Sequence, residues 1–197
     1  MKNILLLVVA AMMTTMSANA QEGYNTKHEV AISYGCLSNS EWIDDFSKAV
    51  TAIVGVRYGN EKFTGSFSAE YFYHTKNWLG LGGIFVMGKN TQDVFYGGTK
   101  DGKLTHHYYT LMPAAKLDWL RKKHFGMYSK VALGATLRKE NLDSDNPALP
   151  DDSDSDIHFN WQLSFVGMEF GSPTLRGFAE LGLGEQGVAL FGIRYKF

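Results

Sequence analysis

An eight-stranded antiparallel up-and-down transmembrane β-barrel, with a short amphipathic helix in its first external loop, is the fold this sequence predicts, on three observations. The chain ends on Ala189-Leu190-Phe191-Gly192-Ile193-Arg194-Tyr195-Lys196-Phe197, which puts Ala, Phe, Ile, Tyr and Phe on one side and Leu, Gly, Arg and Lys on the other. Period-two alternation over that length marks a strand between unlike surroundings. Mean hydropathy is slightly negative, and beyond Gln21 no apolar run is long enough to cross a bilayer as a helix. Apolar residues dispersed at period two let an average-looking chain span lipid as a closed barrel. Finally, the alternating segments are even in number, as a barrel with both termini on one side requires.

At the N-terminus, Lys2, the apolar run Ile4–Ala11 and Ala18-Asn19-Ala20 read as the three parts of a cleaved signal peptide over residues 1–20, leaving 21–197 as one barrel domain. Strands are expected at His28–Gly35, Lys62–His74, Trp78–Gly88, Leu104–Trp119, Phe125–Lys139, Asp156–Gly171, Leu175–Gly184 and Gly187–Phe197. Tight turns fall at 75–77, 120–124 and 172–174. Longer polar connections fall at 37–61, 89–103 and 140–155, and Gly184–Gly187 closes the last hairpin. Short connections on one side and long ones on the other suit periplasmic turns and external loops. Within the first loop, Trp42, Ile43, Phe46, Ala49, Val50 and Ile53 share a helical face; Ser38 and Glu41 form a capping box and Gly55 a stop. A ninth strand at Val50–Tyr58 would break the parity.

Composition excludes several classes. A net charge of −1 offers no electrostatic case for nucleic acid, and the length leaves no room for a second globular unit. Cys36 is the single cysteine, so no internal disulfide staples the fold.

Comparing the two faces decides which is outside. In the sixth segment Ile157, Phe159, Trp161, Leu163 and Phe165 oppose His158, Asn160, Gln162, Ser164 and Val166; in the second, Phe63, Phe67, Ala69, Tyr71 and Tyr73 oppose Thr64, Ser66, Ser68, Glu70 and Phe72. The less apolar face is too small and too sparsely charged for a soluble exterior, and it suits the narrow lumen of an eight-stranded barrel. Phe159, Trp161, Leu163, Phe165, Phe191, Ile193 and Tyr195 are therefore expected to face lipid. The same register sends Glu29, Glu70, Lys116, Asp118, Lys130, Arg176, Glu180, Arg194 and Lys196 inward. Mixed charges in a closed lumen must pair, so they should plug it and leave no open pore. Tyr73, Trp78, Trp119, Phe125, Tyr195 and Phe197 fall near the short turns as an aromatic girdle.

The export signal, the eight alternating segments, Trp78-Leu79-Gly80-Leu81-Gly82-Gly83, Gly177-Phe178-Ala179-Glu180-Leu181-Gly182 and the ending Gly192–Phe197 together resemble the small outer-membrane barrels of OmpA/OmpX type over essentially the whole mature chain. The resemblance implies a Gram-negative outer-membrane address and Phe197 as an insertion signal read by the barrel-insertion machinery. The implied partners are outer-membrane lipid, lipopolysaccharide and an unnamed extracellular partner. It implies no cofactor, and a structural or surface-interaction role rather than catalysis.

Two other activities are weighed against it. Lipid A deacylases carry a His-x-Ser pair on one strand face; none of the six histidines here has Ser two positions on. A cross-strand dyad of His107 and Ser129 would be split between opposite ends of the wall, and an acyltransferase would have to draw on the helix of the first loop. A soluble ligand carrier would turn its apolar face inward. For metals, the acidic stretch from Glu140 to Asp156 offers Asp152, Asp154 and Asp156 at alternate positions, but Ile157 and Leu163 stand where a calcium loop needs Gly and Glu.

Overall fold

The computed structural model describes residues 26–40, 57–96, 99–144 and 152–197. Eight strands, β1 (His28–Cys36), β2 (Arg57–Lys76), β3 (Leu79–Tyr96), β4 (Thr99–Arg121), β5 (Phe125–Ser144), β6 (Asp152–Gly171), β7 (Leu175–Gly184) and β8 (Ala189–Lys196), close a barrel in chain order. Every neighbouring pair is antiparallel. The seam joins β1 to β8 from Glu29 opposite Lys196 to Cys36 opposite Ala189. Phe197 extends it by one reciprocal pair with His28, each backbone N–H 2.9 Å from the other's carbonyl. Closure leaves no sheet edge around the lower barrel, the condition for a β structure in an apolar solvent.

Side chains sort by parity as the alternation demands. Ile32, Phe67, Leu111, Phe159 and Phe191 stand on the outer wall at 50% exposure or more, while Phe72, Ile84, Val86, Met112, Ala114 and Ala132 form an apolar cluster inside. On β6 the outward apolar residues run from Ile157 to Phe170, about 43 Å along the strand and about 30 Å of height at a tilt of ~45°. That matches a hydrocarbon core of about 30 Å.

The strands depart from expectation in length. β2 to β6 hold 20, 18, 23, 20 and 20 residues against 9, 10 and 8 for β1, β7 and β8. The connections expected at 89–103 and 140–155 are largely ladder: β3 and β4 pair out to Tyr96 opposite Thr99, and β5 and β6 to Leu142 opposite Asp152. Polar side chains there signalled loop, but a ladder whose inward residues are themselves polar, as at the buried Asn90 and Gln92, carries the same composition. Five strands thus rise past the other three. Arg57 and Tyr58 belong to β2, which starts five residues before the expected Lys62, and the described residues hold eight strands; the rest of the Val50–Tyr58 alternative lies outside them. Residues 39–40 are helical; the rest of the expected loop helix, and the signal peptide, lie outside the described residues.

Two irregularities re-aim side chains on the wall. Between Ser164 and Gly167, Phe165 and Val166 of β6 face the single residue Ser129 of β5, whose hydroxyl donates to the Phe165 carbonyl at 2.6 Å. Near the rim, Gly65 adopts φ 76° where β2 slips against β3. A Cβ there would strike the Tyr34 ring, so glycine serves both the backbone and the neighbour.

Candidate functional site

The lumen is filled by ionic side chains drawn from strands far apart in sequence. Alternation on β1, β2, β4, β5, β7 and β8 turns Glu29, Glu70, Lys116, Asp118, Lys130, Arg176, Glu180, Arg194 and Lys196 inward, all at 4% exposure or less. Toward the short-turn end, Lys116 Nζ donates to Glu29 at 2.7 Å and lies 3.4 Å from Asp118, while Lys196 Nζ is 3.0 Å from Glu29. At mid-height Lys130 Nζ donates to Glu70 at 2.5 Å and reaches Glu180 at 2.9 Å. Glu180 also accepts from the Tyr128 and Ser164 hydroxyls, both at 2.6 Å. Arg194 joins the layers, with Nη2 3.2 Å from Glu70 and its guanidinium 4.6 Å from the Tyr128 ring and 4.4 Å from Phe178. Paired this densely, buried charges lose little relative to water and fix one packing of the interior.

Three members of this network escaped the sequence reading. Glu169 accepts from Arg176 Nη1 at 2.7 Å, from Arg194 Nη1 at 2.9 Å and from Lys196 Nζ. Strict alternation sent it outward; the Phe165–Val166 bulge advances the phase by one and turns it in. The signal was present, because outward apolar residues run on odd numbers to Phe165 and on even numbers at Met168 and Phe170. His74 sits 2.8 Å from Glu29 and 3.4 Å from Asp118. Glu185, expected at an outer hairpin tip, is folded into the mouth at 2% exposure. There it accepts from the Ser40 N–H (3.1 Å) and hydroxyl (2.7 Å), Asn160 Nδ2 (2.8 Å) and Thr110 Oγ1 (3.2 Å). Gln186 beside it donates to Glu70 at 2.8 Å. Gly184 and Gly187, at φ 135° and 111°, make the inward fold possible.

Outside, Phe159, Trp161, Leu163, Phe165, Phe191, Ile193 and Tyr195 are 36–68% exposed. Tyr73, Trp78, Phe125 and Phe197 are exposed near the short turns, and Phe197 stacks between His28 (5.3 Å) and Tyr195 (5.6 Å). An inward-facing apolar pocket, which a soluble carrier needs, is not what these side chains make.

The catalytic and metal candidates come apart. His107 and Ser129 both lie on the outer wall, but Ser129 pairs with Leu117, ten residues below His107 on β4 and so about 33 Å away. The backbone of Asp152, Asp154 and Asp156 is extended within β6, with Asp154 and Asp156 exposed. Glu29, His74 and Asp118 place one ligand atom each within 4.8 Å. The ammonium groups of Lys116 and Lys196 already neutralise that cluster, and a divalent ion would sit against both. These residues do not fit a metal.

An antiparallel barrel of eight strands, apolar without and ionic within, defines the class: a small barrel of the outer-membrane type. No family model matches the chain, and no curated protein matches it in sequence. Among solved structures it is similar to Ail, the attachment invasion locus protein of Yersinia pestis, with a TM-score of 0.51 and 15% identity over 87% of this chain and 99% of Ail. A second structure of Ail, in complex with the heparin analogue sucrose octasulfate, gives a TM-score of 0.46 at the same identity and coverage.

Proposed function

We propose that this chain is an integral outer-membrane protein that acts without catalysis, presenting a surface for extracellular contacts. In this reading residues 1–20 direct export and are removed, 21–197 insert through the C-terminal strand and Phe197, and the outward aromatic and aliphatic residues meet lipid. The charge network seals the lumen, so the barrel conducts nothing. The observation that carries the surface role is the uneven rim. Above Trp161, whose carbonyl accepts from Glu185 N–H at 3.0 Å, no described strand pairs the β7-side edge of β6 over Asp152–Asn160. Nine residues give about 30 Å of backbone donors and acceptors open to an added strand. Exposed Asp154 and Asp156 on that stretch guard it from self-association. Ail, an attachment invasion locus protein, uses the same fold.

Fractionation with surface proteolysis tests the reading. The mature protein, beginning at Gln21, should resist osmotic release and carbonate extraction, and protease added to intact cells should cut only within the external loops and the extensions of β2–β6. Release into the soluble fraction would refute the membrane assignment. A change of one acyl chain in lipid A upon gene deletion would refute the non-enzymatic one.

A further inference from the structure

We propose that the outer wall beside the Gly65 bulge is a binding site for the phosphorylated, acylated glycolipid of the outer leaflet, an assignment that rests on the outer-membrane function proposed for the chain. One acyl chain lies in an apolar groove, and a phosphate bridges Lys89, His107 and Lys139.

Strand register makes the site legible as stacked rows. Phe191, Tyr34, Phe67, Met87, Tyr109, Leu137 and Ile157 are paired in one line across the wall. The next outward row toward the loops reads Lys89, His107, Lys139 and Ser155. The last apolar row is thus followed at once by three nitrogen bases on adjacent strands, the level at which headgroup phosphates begin. Like charges set opposite one another on a sheet repel. Neither Lys89 nor Lys139 has an ion-pair partner among the described residues. Glu140 of β5 points to the other face, where it is paired with Asp154 and bonded by Arg138 Nη2 at 3.3 Å, and Asp93 of β3, on the outward parity of Lys89, stands four residues nearer the loops, opposite Lys103. Lys89 and Lys139 are two strands apart, about 9.6 Å, a span one phosphate can bridge around His107.

Directly below, a groove of about 450 Å³ runs along β8, β1, β2 and β3, floored by Ala69 and Gly192 and walled by Phe67, Phe85, Phe191 and Ile193. Ala69 makes it, since the residues paired to either side are Ile32 and Phe85. A smaller recess of about 130 Å³, lined by Gly65, Lys89 and His107, shares Phe67 and Met87 with the groove. Those two side chains stand between the groove and the recess. The Tyr34 ring, 5.1 Å from Phe67, lines the groove and packs over Gly65. An apolar groove one row below a line of three nitrogen bases matches a lipid whose chain and phosphate are joined.

Native mass spectrometry of the folded mature protein in detergent, with diphosphorylated lipid A and its dephosphorylated form as probes, tests the site. Wild type should retain one diphosphorylated molecule. K89Q/K139Q should retain it roughly tenfold more weakly. A69W, which fills the groove with the cations intact, should weaken both probes, and the dephosphorylated form should bind wild type no better than the double variant. Equal retention of both probes by all three proteins, or several molecules per barrel with no dependence on phosphate, would overturn the proposal. Heat-modifiable gel mobility reports folding of each variant. Its loss in wild type would count against the barrel reading itself, separately from the lipid site.

Discussion

Replacing Lys130 with Met removes the ammonium held 2.5 Å from Glu70 and 2.9 Å from Glu180. Glu70 keeps Arg194 at 3.2 Å and Gln186 at 2.8 Å. Glu180 keeps two hydroxyl donors, and its guanidinium contact is the longer 3.8 Å approach of Arg194. The stranded charge is therefore that of Glu180. Breaking a buried pair on one side costs about 3–5 kcal/mol, and with a urea slope of about 2–3 kcal/mol/M the unfolding midpoint should fall by about 1–2 M. In the K130M background, E180Q removes the stranded charge while the amide still meets Tyr128 and Ser164. The double variant should recover about half the loss, a coupling of about 2 kcal/mol. The assay is urea unfolding in lipid vesicles followed by tryptophan fluorescence, with Trp78 and Trp161 reporting from the outer wall. If the two substitutions add to within about 0.5 kcal/mol, the network is not a set of coupled pairs and the account of the lumen fails.

The same geometry sets three other outcomes. A Cβ at Gly167 would run into the ring of Tyr128, so G167A should cost about 1–3 kcal/mol in that titration; an unchanged midpoint would show the ring is free to move. E185A takes the acceptor from Ser40, Asn160 and Thr110, and limited proteolysis in the first external loop should accelerate several-fold while the barrel stays resistant. Deleting Phe197 removes the backbone pair with His28 and the stack on Tyr195; refolding into vesicles should slow at least tenfold, with a wild-type rate as the contrary result.

The strand count, the closure and the two faces were legible because each follows from parity, which a single segment such as Ala189–Phe197 already displays. Nine of the buried ionic groups were placed by the same rule. What escaped depends on breaks in the rule. Glu169 needed the extra residue at Phe165–Val166 to be noticed, and a phase slip of one position in the apolar pattern is a weak signal beside a long run of agreement. Glu185 depended on a hairpin tip turning back into the mouth, which tip sequences do not encode beyond supplying Gly184 and Gly187. The upward extension of β2–β6 was hidden because polar residues on both faces, such as the buried Asn90 and Gln92, erase the alternation. Asp152, Asp154 and Asp156 read as part of a polar loop for the same reason, though their backbone belongs to β6.

The last hairpin also supplies much of the interior's charge: Arg176, Glu180, Glu185, Arg194 and Lys196 all belong to β7, β8 or the turn between them. Their counter-charges sit mainly on Glu29, Glu70, Glu169 and Lys130, on β1, β2, β6 and β5. A sheet still unzipped at the β1–β8 seam would leave bare ions beside hydrocarbon, at a cost of several kcal/mol for each. Neutralising the core and sealing the wall are accordingly one event, and in the membrane setting proposed above half-closed forms would be too high in energy to accumulate.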